Sequence, residues 1–360
     1  MSGSIVVTTA AELVAALAAG TDPTIYLQRG TYLLDHATAN GKGGTEMNTS
    51  KHFIMTLVAA IGLASAFTAS SGAQKYSDWS EPINLGPIVN STAMDRGPAI
   101  SKDGLSLYFA SNRLDGNFGG EDIYVSQRET RDSEWGPAVN LGPIINTTAS
   151  EQVPALSRDG HLLFFASNRP GGFGGPDIWV SRREHTHDDF AWQPAEHLGA
   201  EVNSASIDAG PNYFENDEVG VPQLYFNSDR LAPGIGNLYV SEQTADGSFG
   251  PAVLVLELSS TGNTARSSIR HDGREIFFSS NRPGSMDTIA DLWVATRDTV
   301  FDAWSAPINL GSPLNTELID VHPYISSDRE TLFFASSRPG GLGSADLYMS
   351  TRTKGSKKQR

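Results

Sequence analysis

The sequence predicts an all-β protein, a five-bladed β-propeller of four-stranded antiparallel blades closed by an N-terminal strand. Three observations predict it. One segment recurs five times, as Leu107–Arg113, Leu163–Arg169, Leu224–Arg230, Ile276–Arg282 and Leu332–Arg338, each reading aliphatic, aromatic, Phe and ending in Arg. A second follows after a Gly-rich loop, opening at Asp122, Asp177, Asn237, Asp291 and Asp346 with an Ile-Tyr-Val type of pattern. A third is an aromatic residue with Pro close behind, at Trp79, Trp135, Trp192, Phe249 and Trp304, spaced 56, 57, 57 and 55 residues apart. A period this even is the mark of a repeat architecture.

Each repeat divides into four strands. The first is Pro98-Ala-Ile-Ser and its equivalents. Asp103-Gly104, Asp159-Gly160 and Asp272-Gly273 then supply the positive φ of a tight hairpin turn. In the third repeat a longer acidic loop, Glu215 to Pro222, takes the place of that turn. The Leu-aromatic-Phe strand is apolar on both faces, as a strand between two neighbouring sheets must be. The Ile-Tyr-Val strand follows, then the Pro-containing strand, which suits an outer edge because Pro cannot donate to a ladder. Four-stranded units around an axis make a propeller. The fifth repeat ends after its third strand, while Trp79 to Gly86 is a fourth strand lacking the other three. The early strand should therefore complete the last sheet and leave no open edge.

The N-terminal region is composite. Lys51 and His52 precede a fifteen-residue apolar run, Phe53 to Phe67, and then Ser71-Gly72-Ala73. This is the layout of a signal peptide over residues 47–73, with the mature start near Gln74. The run is shorter than the roughly 18 residues of a spanning helix, so no stable membrane span is expected. Residues 1–46 lie upstream, with a capping box at Thr9 and Glu12 and strand-like Ile25-Tyr26-Leu27. They resemble the opening coil of a parallel β-helix, which needs stacked neighbours to bury its face. The expected divisions are thus 1–46, an upstream leader or fusion; 47–73, the signal peptide; 79–352, the propeller; and 353–360, a basic tail. A periplasmic or secreted location follows.

Composition narrows the partners. The formal charge is −15, from 26 Lys and Arg against 41 Asp and Glu. Such a surface repels nucleic acid and anionic membranes. With no cysteine, stability must come from the core. A monomer is expected.

The motifs Ser-x-Asp-Gly, an aromatic strand ending Ser-Asn-Arg, and Gly-Gly-x-Asp-Ile-Tyr-Val resemble the WD-repeat-like units of the TolB-type periplasmic propeller family, over about residues 79–352. That resemblance implies a platform for binding a protein or a ligand. The best-known member has six blades and a separate N-terminal domain, against five repeats here.

Two sets of residues are candidates for a site. The repeated Arg113, Arg169, Arg230, Arg282 and Arg338 read either as an arginine ring or as structural ties for the Gly-rich loops. Asp95, Glu151, Asp208 and Asp320, with Ala265 in the fourth repeat, stand at the entrance of the first strand. There they are expected to converge on one mouth of the channel, beside Arg96, Gln152, Arg266 and His322. Oxygen ligands of this kind suit Ca²⁺, although no cofactor is required by the sequence. Five-bladed propeller glycosidases use three channel acids for general acid–base work. The alternative is that these acids cap the strand or its preceding loop. His185-x-His187-Asp188-Asp189 reads as a surface loop or a metal cluster. No nucleophile elbow, His-Glu-x-x-His or phosphate-binding loop is present. The first expectation is a non-catalytic binding propeller for a protein or glycan. The alternative is a glycoside hydrolase or lyase using the channel-mouth carboxylates.

Overall fold

The computed structural model describes residues 5–7, 25–27, 76–286 and 289–355. The signal-peptide segment, the Thr9–Glu12 box and the end of the basic tail lie outside the described residues. The chain divides into two compact units, residues 1–72 and 73–360. In the first, β1 (Ile5–Val7) pairs parallel with β2 (Ile25–Leu27).

The second unit is the five-bladed propeller. β4 (Asp95–Ile100), β5 (Ser106–Ser111), β6 (Asp122–Gln127) and β7 (Val139–Asn140) form the first blade. The second is β8 (Glu151–Leu156), β9 (Leu162–Ser167), β10 (Asp177–Arg182) and β11 (Glu196–His197). The third is β12 (Asp208–Phe214), β13 (Gln223–Ser228), β14 (Asn237–Glu242) and β15 (Val253–Leu254). The fourth is β16 (Thr264–Ile269), β17 (Glu275–Ser280), β18 (Asp291–Thr296) and β19 (Ile308–Asn309). The fifth is β20 (Asp320–Ile325), β21 (Thr331–Ser336) and β22 (Asp346–Thr351), completed by β3 (Ile83–Asn84). Asn84 lies opposite Tyr348, so the N-terminal strand closes the ring as the repeat count requires.

The outer strands are shorter than the sequence reading allowed. Pro82, Pro137, Pro194, Pro251 and Pro307 lie just ahead of them, and each pairing covers only two residues. A residue without an N–H ends the ladder there.

The core is not one mass but five, each lying between two adjacent blades. Alternation along the second strand produces this. Tyr108 points into the cluster shared with the second blade, and Leu107 and Phe109 into the cluster shared with the fifth. Trp79 packs edge-on against Phe277 at 6.1 Å, beside the cluster of the fourth and fifth blades.

The first strands β4, β8, β12, β16 and β20 neighbour one another around the axis. All five break register after their second residue. The third residue of each has positive φ: Gly97 66°, Val153 52°, Gly210 61°, Arg266 25° and His322 57°. This bulge re-aims side chains at the axis. Three of the five are not glycine, and a β-branched residue such as Val153 is a steric outlier there.

Candidate functional site

The repeated residues form the frame. In each blade the arginine after the second strand bonds the Ser two residues earlier and, through Nη2, a carbonyl of the loop entering the first strand. Those carbonyls belong to Val89 (2.7 Å), Ile145 (2.6 Å), Val202, Leu258 (2.6 Å) and Leu314 (2.6 Å). Arg113, Arg169, Arg230 and Arg338 also pair with the acid that opens the first strand: Asp95 (2.6 Å), Glu151 (3.1 Å), Asp208 (2.5 Å) and Asp320 (2.7 Å). The arginines are structural ties. They hold the loop before the first strand, not the Gly-rich loop. Asp122, Asp177, Asp291 and Asp346 hold that one, accepting from the N–H of Phe118, Phe173, Met286 and Leu342.

The four acids are fully buried, and each stays inside its own blade. Asp95 accepts from Ser91 N and Oγ, Glu151 from Thr147, Asp208 from Ser204 and Asp320 from Thr316. They cap the preceding loop rather than converge on the channel, so they make no Ca²⁺ cage. In the fourth blade the equivalent residue is Thr264, opposite Ser280 as Asp95 is opposite Ser111, and not Ala265. The offset arises because Ser267 replaces the proline that marks the register elsewhere.

The side chains that do meet at this mouth are those that vary between blades. Arg96 forks onto Glu121, Nε to Oε2 at 2.7 Å and Nη2 to Oε1 at 2.5 Å. Gln152 Nε2 donates to the same Oε1 at 3.0 Å. A bidentate guanidinium–carboxylate pair fixes both planes. Half-buried His322 lies within the field of Arg96 and Arg266, and burial together with these cations pushes its pKa well below the usual value. It is neutral at pH 7. Phe118 and Phe173, on the loops of the first and second blades, are 44% and 51% exposed. Glu121 escaped the sequence reading. Its signal was there: Pro176, Gly236, Ala290 and Ala345 fill the same position elsewhere, so the first blade alone places a charge before the third strand.

Arg266 is not at the mouth. It crosses the axis, 1% exposed, and its Nη2 donates to the carbonyls of Pro98 (2.7 Å) and Pro154 (3.0 Å) on the far side. Gly97 makes room, since a Cβ there would meet Arg266 Nη1 at 3.2 Å and Val153 Cα at 3.0 Å. Burial lowers the Arg266 pKa to about 9, which leaves it charged at neutral pH. Tyr324 lies beyond, 5.9 Å from the guanidinium, and its hydroxyl donates to Ile100 O. It also lines a funnel at the opposite mouth, with Lys102, Arg158, Glu215 and His271. Burial, aided by Asp159, raises the pKa of Glu215.

His185-x-His187-Asp188-Asp189 does not gather as a metal site. Asp189 is buried between the first two blades, where it accepts from Arg183, Ser106, Tyr108 and Gln127. Among the described residues no group of three or more His, Asp or Glu is placed to hold a metal, and no helix is long and apolar enough to cross a membrane.

No protein-family model and no curated protein matches the sequence. Solved structures match in fold. The chain is similar to a thermostable family-43 glycoside hydrolase, with TM-score 0.51 and 14% identity over 74% of this chain and 91% of that one. It is also similar to the alpha-L-arabinofuranosidase from Lactobacillus brevis, with TM-score 0.51 and 14% identity over 75% and 92%. TolB from Acinetobacter baumannii matches with TM-score 0.44 and 17% identity, over 74% of this chain and 57% of that one. The five-bladed ring is thus shared with glycoside hydrolases, and the TolB-type resemblance rests on the repeat motifs.

Proposed function

We propose that this is a carbohydrate-directed propeller, exported from the cytoplasm, that takes a glycan at the mouth formed by Arg96, Glu121, Gln152 and His322. One observation supports the reading above the rest: Arg96, Glu121 and Gln152, which break the five-fold repeat, meet at this mouth and are fixed on one another by hydrogen bonds. Planar donors and acceptors held in place suit sugar hydroxyls. The ring shared with glycoside hydrolases supports a sugar over a protein partner. The basic and apolar segment from Lys51 to Phe67 supports export.

A second reading, glycoside cleavage, is favoured by the likeness to the arabinofuranosidase. Cleavage takes two carboxyl groups about 5–9.5 Å apart. Glu121 is the carboxyl at this mouth outside the four capping acids, and it would serve as one of the pair.

The test is an immobilised panel of arabinose-, xylose- and glucose-based oligosaccharides, read for retention and for release of reducing ends. Retention that Glu121→Gln abolishes without release supports recognition. Release that the same change abolishes supports cleavage. Neither retention nor release across the panel would remove both readings.

A further inference from the structure

At the centre of the ring two buried side chains carry polar atoms without a partner. Arg266 Nε and Nη1 meet no acceptor, although the side chain is 1% exposed. No carboxylate is among the groups acting on it; burial and the Tyr324 hydroxyl are its influences. Arg282 also lacks an acid, but it places its donors on Ser280 Oγ, Leu258 O and Thr264 Oγ1. Nearby, His322 Nδ1 is buried and unbonded, and both Arg96 and Arg266 act on the ring electrostatically. A buried cation with no counter-charge is unfavourable unless something neutralises it. Arg96 is already neutralised by Glu121, so Arg266 is the uncompensated charge.

The backbone is shaped around this point. Arg266 and His322 both sit at bulge positions with positive φ, at 25° and 57°, so their side chains leave the strand toward the axis. Strain of this kind persists where surrounding structure enforces it. A water molecule could bond the free N–H groups, but it would leave the charge in place.

We propose that the axis holds a buried site for one small monovalent anion, a halide or a carboxylate, bound by an unpaired N–H of Arg266 and by His322 in its Nδ1–H tautomer. The guanidinium supplies charge and the imidazole orientation, and the two cationic neighbours exclude a metal ion. A carboxylate ligand comes either from free solute or from an acidic sugar whose remainder lies in the mouth above. The anion site stands apart from the glycan reading, because a halide titration reads it with no sugar present.

The experiment is ³⁵Cl NMR line broadening on the full chain, with competition by formate, paired with anomalous diffraction from bromide-soaked crystals. Excess broadening that formate reverses, and a bromide peak touching Arg266 and His322, are expected. Arg266→Met, with folding checked by its melting curve, should weaken chloride binding about ten-fold or more, as loss of a charge-assisted hydrogen bond does. Should that variant fail to fold, the wild-type titration and the bromide map decide alone. Displacement of chloride by a glucuronate-capped oligosaccharide, and not by its neutral counterpart, assigns the site to a glycan carboxylate. Displacement by formate but by neither sugar assigns it to a free anion. Absence of excess broadening, an ordered water in place of bromide, or undiminished binding in folded Arg266→Met would overturn the proposal.

Discussion

Asn84 donates from Nδ2 to the Asp346 carboxylate over 2.8 Å, joining residues 262 positions apart. The contact is repeated in the first and fourth blades by Asn140 to Asp122 and Asn309 to Asp291, but only in the fifth does it join the two ends of the ring. Asn84→Asp would set two carboxylates against each other at the closure. It should cost about 2–4 kcal/mol at pH 7, as a lost hydrogen bond plus a like-charge contact would. Asn140→Asp makes the same local change without touching the closure. Urea denaturation of both variants measures the difference. A ring that depends on closure loses cooperativity with Asn84→Asp alone.

Asp189 locks the first two blades together. Burial opposes its ionisation, but hydrogen bonds from Arg183, Ser106 and Tyr108 outweigh this and hold its pKa below the usual value. A carboxyl depressed in the folded state adds stability that is present above the unfolded pKa of about 3.9 and is lost as pH falls through the folded value. Asp189→Asn leaves Arg183 buried without its counter-charge. It should cost about 3 kcal/mol at pH 7 and flatten the acid limb below about pH 4. Melting temperatures from pH 2 to 7 read both effects.

His322 gives a second window. Its folded pKa is lowered, so the unfolded chain takes up the proton first, and stability declines as pH drops below about 6.5. The groups that set this are burial and the guanidiniums of Arg96 and Arg266. His322→Gln should remove the slope between about pH 6.5 and 5. A slope unchanged in that variant would place its origin elsewhere.

Two glycines separate crowding from conformation. Gly210 has φ of 61°, and a Cβ there would meet Asn227 Oδ1 at 2.4 Å and Arg266 Cα at 3.0 Å. Gly142 has φ of 81° with nothing within 4 Å. Gly142→Ala should cost about 1–2 kcal/mol, the price of left-handed backbone alone. Gly210→Ala should exceed that by at least about 1 kcal/mol because it also overpacks the axis. Equal losses in denaturant titrations would mean the axis yields.

The number of blades and their closure were legible in the sequence because each blade rewrites the same residues, so periodicity alone counts them. The site was legible only in part. Arg96, Gln152 and His322 were placed at the mouth because they vary among repeats. Asp95, Glu151, Asp208 and Asp320 were placed there too, yet they turn inward onto arginines and loop N–H groups. Residue type does not reveal which way a side chain leaves a bulged strand. Glu121 is masked in the sequence by its neighbour Asp122, an acid that recurs as Asp177, Asp291 and Asp346 to hold the Gly-rich loop. Arg266 was expected at the rim because nothing in a sequence shows that Gly97 clears a path across the axis.

The most direct test of the account is a calorimetric titration of the full chain with the best-retained oligosaccharide, comparing Arg96→Met with Lys102→Met at the opposite mouth. Binding should weaken about ten-fold or more in the first, since a charged hydrogen-bonding group is removed, and stay at the wild-type value in the second. Loss of binding in Lys102→Met with retention in Arg96→Met would contradict the account.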